Sequence, residues 1–195
     1  MANLNRVPST CDDNNSDEMW KARITAMERF FGPADQSVLH GPVPFSFGRD
    51  MGGSPDVLMF SKCTEGKLYV TADLIGANHP PNSAGEYELA VVHEDDEQWG
   101  VAVIAQLAHF TAEIVLDDGE TMDVGSATPE GSTIEAFLFR RIAEFDVLGN
   151  KANVICCIGI TASELAHKQA QGARSLINIL GHRYFTTDLY RASFV

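Results

Sequence analysis

The side chains able to do chemistry are few and scattered. The chain has 195 residues with six histidines and four cysteines. His109 and Glu113 stand four apart in a stretch of helical periodicity, a spacing that brings two side chains onto one face. Such a pair is at most half a zinc site, which takes three or four protein ligands, so it is expected to be a helix-surface contact. Cys11, Cys63, Cys156 and Cys157 show neither C-x-x-C spacing nor Cys/His pairing of the zinc type. Cys156 and Cys157, adjacent in an apolar run, are expected on opposite faces of a strand as reduced, buried thiols, which suits a cytoplasmic chain. No cysteine combines a basic neighbour with a matched histidine, so no thiol nucleophile is expected. Glu94, Asp95, Asp96 and Glu97 lack the alternating oxygens and the glycine of a calcium loop. The glycines of the stretch from Gly48 to Gly53 do not join a strand to a helix, as a phosphate cradle requires. No hydrolase elbow, zinc-protease motif or P-loop occurs. The residues therefore assign no catalytic, cofactor or metal site. An enzyme using His109, Glu113 or the Pro42 to Pro55 loop stays open as the least favoured reading.

The elements that would position these groups read as one α/β (α+β) domain. Residues 1–16 are polar and expected to form a flexible tail, with the domain over 17–195. A helix is predicted from about Ser16 or Asp17 to Phe31, with Met19, Trp20, Ile24, Met27, Phe30 and Phe31 on one side, and Gly32-Pro33 stopping it. A long Pro- and Gly-rich connection follows to Pro55, of a length often given to function. Strands are predicted over Asp56 to Ser61, Lys67 to Leu74 and Tyr87 to Val92, joined antiparallel. A helix from Trp99 to Leu116 has an apolar face wide enough to lie on a sheet. Further strands run from Ile134 to Ile142 and from Asn153 to Ile160. Thr161-Ala-Ser-Glu164 fits a capping box, starting a last helix that continues to Gly181. The sum is a mixed, largely antiparallel sheet packed with three main helices.

Composition narrows the function. Hydrophobic residues make up 45% and charged residues 21%, ordinary values for a folded domain. No run is apolar enough to span a membrane, and no apolar secretory segment is visible at the N-terminus. Net charge is −13, and between Leu68 and Phe139 there are fourteen acids without one Lys or Arg. The remaining thirteen acids and fourteen bases nearly balance. Such a field repels nucleic acid and favours basic partners.

The final third carries a resemblance. Val154-Ile-Cys-Cys-Ile-Gly-Ile-Thr161-Ala-Ser-Glu164-Leu165, then Leu176-Ile-Asn-Ile-Leu180, resembles the end of the suppressor-of-fused domain, an apolar strand running into a Thr-x-x-Glu-Leu helix. Tyr184-Phe-Thr-Thr-Asp188-Leu-Tyr-Arg191 is similar to that family's closing segment, as are Gly85 to Leu89, Leu107 to Phe110 and Gly119-Glu120 to its upstream motifs. The similarity runs from about residue 20 to 191, and the order of several loose motifs carries it.

The resemblance implies an α/β protein-binding domain without known chemistry. Animal members clamp a peptide of a transcription factor between this domain and a second one, which is not expected here. By position, the family's partner-contacting aromatic and acid correspond to Phe110 and Glu120. Phe110 has an alternative place on the core face of its helix. Stand-alone bacterial members resemble immunity proteins, and an acidic inhibitor suits a basic toxin. The expected partner surface comprises Phe110, Glu120, Asp117, Asp118, Glu94, Asp95, Asp96 and Glu97. The partner is expected to be another protein, such as a basic toxin domain, with neither nucleic acid nor membrane involved. A regulatory or scaffolding role with an unrelated partner is the alternative.

Overall fold

The computed structural model describes residues 10–77, 79–94, 99–181 and 186–195, with side chains from Asp17 on. Helix α1 (Thr10–Phe31) leads through a long loop to β1 (Val57–Phe60), β2 (Lys67–Thr71) and β3 (Glu86–His93). Then come α2 (Trp99–Phe110), β4 (Thr121–Asp123), the long hairpin β5 (Ile134–Val147) and β6 (Asn150–Thr161), and finally α3 (Ala162–Gln171) and α4 (Ala173–Leu180). The six strands form one sheet in the order β1-β2-β3-β6-β5-β4, antiparallel at every pairing except β3 with β6. The result is a single α+β domain with a mixed, mostly antiparallel sheet.

The sheet is covered on both faces, which explains the nearly unbroken apolar runs of β3 and β6. Leu89, Val91, Ile155 and Cys157 face α2, against Val103, Ile104 and Leu107. Ala90, Val92, Val154, Cys156 and Ile158 face the other way, toward Met27 of α1 and Leu176 and Leu180 of α4. Adjacent Cys156 and Cys157 thus enter different cores, as the two-residue repeat of a strand requires. Burial pushes the Cys156 thiol up to about 12 and raises that of Cys157 as well. Cys63, by contrast, is exposed. No helix among the described residues is long and apolar enough to cross a membrane.

Several boundaries differ from the sequence expectation. Helix α1 begins at Thr10, inside the stretch expected to be a tail. Helix α2 ends at Phe110 and does not run on to Leu116. There Thr111 donates its hydroxyl back to the Ala108 carbonyl at 2.7 Å, and the backbone N–H groups of Glu113 and Ile114 both turn to Phe110. The C-terminal helix is two helices, because Gly172, at φ 84° and ψ 160°, breaks it between α3 and α4. The capping box of α3 is present, with Thr161 accepting from the Glu164 N–H and Glu164 accepting from the Thr161 N–H. Strands β5 and β6 extend further than predicted and meet in a two-residue turn at Leu148 and Gly149.

The two sheet edges are treated differently. Along β1 the preceding loop lies close, with the N–H groups of Asp35 and Leu39 donating to Met59 and Val57. Strand β4 forms the other edge, and only β5 pairs with it among the described residues. Its Met122 lies opposite Phe137, while the Val124 N–H donates to Glu135 and the Phe139 N–H to Glu120. By the alternation of an antiparallel ladder, the backbone groups of Thr121 and Asp123 point to the open side.

Candidate protein-binding groove

Beside that open edge runs a groove of about 630 Å³. One wall is the C-terminal half of α2, with Leu107, His109 and Phe110; the other is β4 and the turn after it, with Met122 and Ser126. The loop before β1 closes one side through Arg49, Gly52 and Gly53. Phe110 is 43% exposed, so it belongs to this surface and not to the core. The early end of α2 brings this about, because the chain turns away before a further helical turn could cover the ring. Ile114 and Val115, just beyond, are also exposed. Arg49 from the loop lies over the Phe110 ring at 5.7 Å, a cation–π contact.

Glu120 borders a shallower depression that shares Ile114 and Met122 with the groove, so Phe110 and Glu120 flank one continuous surface. Asp117 and Asp118 stand in the same turn as Glu120, whose N–H donates to the Asp117 carbonyl at 3.2 Å. Asp117 and Asp118 are held by cations of the same chain, Arg141 with Asp117 at 3.3 Å and Arg140 with Asp118 at 3.0 Å. Asp117 also accepts from the Ser83 N–H and hydroxyl. Burial opposes its ionisation, but the Ser83 and Asp118 hydrogen bonds and Arg141 outweigh that and hold its carboxyl below the usual range. Glu94 is exposed just past β3, whose last residue His93 packs its ring on Trp99 at the start of α2, the end opposite Phe110. Asp95, Asp96 and Glu97 lie outside the described residues.

His109 and Glu113 do not meet on a helix face, because α2 ends before Glu113. The His109 ring packs on Phe45 of the loop at 5.3 Å, and Gly53 lines the same groove. Burial, then the Arg49 charge, hold its pKa below the ordinary value, against the opposing pull of the Gly53 backbone. No group of three or more His, Cys, Asp or Glu side chains able to hold a metal occurs among the described residues. The groove is therefore a mostly apolar trough with single polar groups at its rim and an unpaired strand edge alongside, the physical makings of a peptide site.

A family model for the suppressor of fused protein matches residues 63–192. The chain belongs to the suppressor-of-fused family. Solved structures agree at the level of the fold. A protein described as a suppressor-of-fused homologue from Neisseria gonorrhoeae superimposes with a TM-score of 0.67 at 15% identity, covering 92% of this chain and 98% of that one. A chain of the Sufu–Fu complex gives 0.64 at 11% identity, over 93% of this chain and 91% of that one. Drosophila Suppressor of Fused gives 0.53 at 12% identity, over 72% of this chain and 39% of that one. No curated protein matches the sequence. The family match spans α2, β4 and the turn beyond, but not Arg49 and Phe45, which lie upstream of residue 63. The importance of the loop for the groove was hinted in the sequence only by its length. Nothing there pointed to Arg49, since its contact with Phe110 crosses sixty-one positions of chain.

Proposed function

We propose that this suppressor-of-fused domain is a non-catalytic module that binds another protein, taking a segment of it into the groove and along the open edge of β4. The observation that carries the proposal is that edge: among the described residues no strand pairs with the outward side of β4 at Thr121 and Asp123, which lies beside exposed Phe110, Ile114 and Val115. An unprotected strand edge next to an apolar trough offers main-chain hydrogen bonds for affinity and a pocket for selectivity. The structure of the similar Sufu–Fu complex is a precedent for a protein partner.

The partner we favour is a basic toxin domain, which makes the chain an immunity protein. The net charge of −13 supports it, since opposed charge speeds encounter and excludes wrong partners. The intramolecular pairing of Asp117 and Asp118 favours the second reading, a regulatory or scaffolding contact with a partner of any charge, because two of the acids are already neutralised. The test is capture of partners from the native lysate by the tagged chain, beside its Phe110→Ala variant. A stoichiometric protein held by the parent and lost by the variant is expected. A partner held equally by both would remove the groove from the proposal.

A further inference from the structure

The loop from Gly41 to Ser54 is a closed structural unit. Its neck is pinned by the Ser54 N–H donating to the Val43 carbonyl at 3.0 Å and by a bridge between Pro44 and Ser54. Two short 3-10 turns, Phe45–Phe47 and Arg49–Met51, fill it, with Gly48 and Gly52 at positive φ between and after them. At the neck, a Cβ on Gly41 would come 2.3 Å from the Ser54 carbonyl oxygen, and one on Gly53 would come 2.7 Å from that of Pro44. Compact surface loops whose ends lie close together are frequently functional. The inner hydrogen bonds of this one are isolated turns, too few to persist without docking.

Among the described residues, ring contacts dock it. Phe45 packs on the core beneath α2 and lies between two imidazoles, stacked on His79 at 5.4 Å and tilted against His109 at 5.3 Å. Arg49 covers Phe110, and Gly53 lines the groove together with His109. The outer side of the loop carries Phe47 and Met51, 59% and 68% exposed. Lifting the loop would widen the groove, since Arg49, Gly52 and Gly53 form its wall, and would uncover Phe45 and the face of Phe110.

We infer that this loop is an acid-released strap over the groove, held down by neutral His79 and His109 and lifted when they gain protons. The inference rests on the groove being the binding site and supplies its regulation. Among the described residues, the charged groups facing the rings are Arg49 from the loop toward His109, His109 toward His79, and Asp123 of β4, which lines the groove with His109. The His79 ring shares a 2.7 Å hydrogen bond with Thr111 Oγ1, which itself donates to the Ala108 carbonyl, so His79 supplies the proton through Nδ1 and is fixed as that tautomer when neutral. Burial, then the His109 charge, lower the pKa of His79 despite the Thr111 backbone; burial, then Arg49, lower that of His109 despite the Gly53 backbone. Released from the strap, both rings regain water and titrate nearer the ordinary value of about 6.5. Docking is therefore favoured fully above that value and weakened as pH falls below it.

The test uses the full chain without any partner. Hydrogen exchange across residues 41–54, corrected for the intrinsic effect of pH, is compared at pH 7.5 and 5.5. It is expected to rise at the lower pH by as much as about tenfold for each imidazole, while β6 stays protected as the control for folding. The His79→Gln/His109→Gln double variant is expected to exchange alike at both pH values. In a parallel NMR titration, Phe45→Ala is expected to move both imidazoles toward their ordinary pKa. Exchange that is unchanged in the parent, or imidazoles that Phe45→Ala leaves where they were, would overturn the strap. Either result leaves the binding proposal standing, because its own test reads partner capture by Phe110→Ala at a single pH.

Discussion

Phe110 and Glu120 share a surface but differ in what anchors them. Phe110 leans on Arg49, while the Glu120 carboxylate accepts from the Asp117 N–H at 3.2 Å. Because both are exposed, Phe110→Ala and Glu120→Arg are expected to shift stability by no more than about 1 kcal/mol. Each should nonetheless weaken partner binding tenfold or more, as a titration against the captured partner would read. Glu120→Arg binding like the parent would move the acid out of the site. Glu88 is the opposite case, a fully buried carboxyl on β3. It accepts from the N–H groups of Leu74 and Ile75 and from the Thr71 hydroxyl. Burial pushes its pKa up to about 7, with Arg23 and these hydrogen bonds only partly opposing. A raised folded-state value means that its contribution is fully present below the unfolded value of about 4.5 and lost as pH rises through about 7. The swing is on the order of 3 kcal/mol. Glu88→Gln keeps an acceptor for Leu74 and Ile75, so urea melts from pH 4.5 to 8 are expected to lose that component of their slope. A variant whose stability still falls across that window would show that another group carries it.

At the scale of elements, β4 and the β5–β6 hairpin carry separable roles. If a partner strand adds to β4, the N–H of Thr121 is one of its donors. Thr121→Pro removes that donor at an edge position where proline is tolerated, and the expected result is a folded domain with binding lost. Unchanged affinity would show that the partner uses the groove but not the edge. The hairpin turn places Leu148 at φ 50° and Gly149 at φ 87°, the geometry of a type I′ turn. Leucine is strained there, whereas asparagine is favoured. Leu148→Asn is expected to stabilise the domain by about 1 kcal/mol, read as a higher denaturation midpoint. The C-terminal segment is held by a buried pair: Arg191 meets both oxygens of Glu164 at 2.6 Å, and the same carboxylate caps α3. The capping box was legible because its residues lie three apart. The Arg191 partner, twenty-seven positions away, was not.

For the whole molecule, the question is whether its charge acts as a field or as a patch. A partner recruited by the overall charge of −13 should bind more weakly as salt rises, because exposed charges are screened beyond a Debye length of about 8 Å at physiological salt. Binding to the captured partner is expected to fall between 0.05 and 0.5 M salt, roughly tenfold or more if the partner is basic. Salt-independent binding would favour the regulatory reading, with the groove supplying the affinity. Where the structure describes them, the acids between Leu68 and Phe139 have unlike surroundings. Glu88 is buried, Asp117 and Asp118 pair internally, and Glu94 and Glu120 lie toward opposite ends of α2.

What the sequence determined by itself was everything set by short-range patterning. The strands other than β4, the apolar faces of the helices, the capping box of α3 and the opposed cores of Cys156 and Cys157 all follow from periods of two or 3.6 residues and local hydrogen bonds. The family's motifs were legible for the same reason. Only the tertiary structure decided where α2 stops, that Gly172 divides the last helix, which acids stay unpaired, and that the loop before β1 lies over the groove. Those outcomes depend on contacts between residues far apart in the chain, such as Phe45 with His109 and Arg140 with Asp118, and no local period records a partner that arrives from another element.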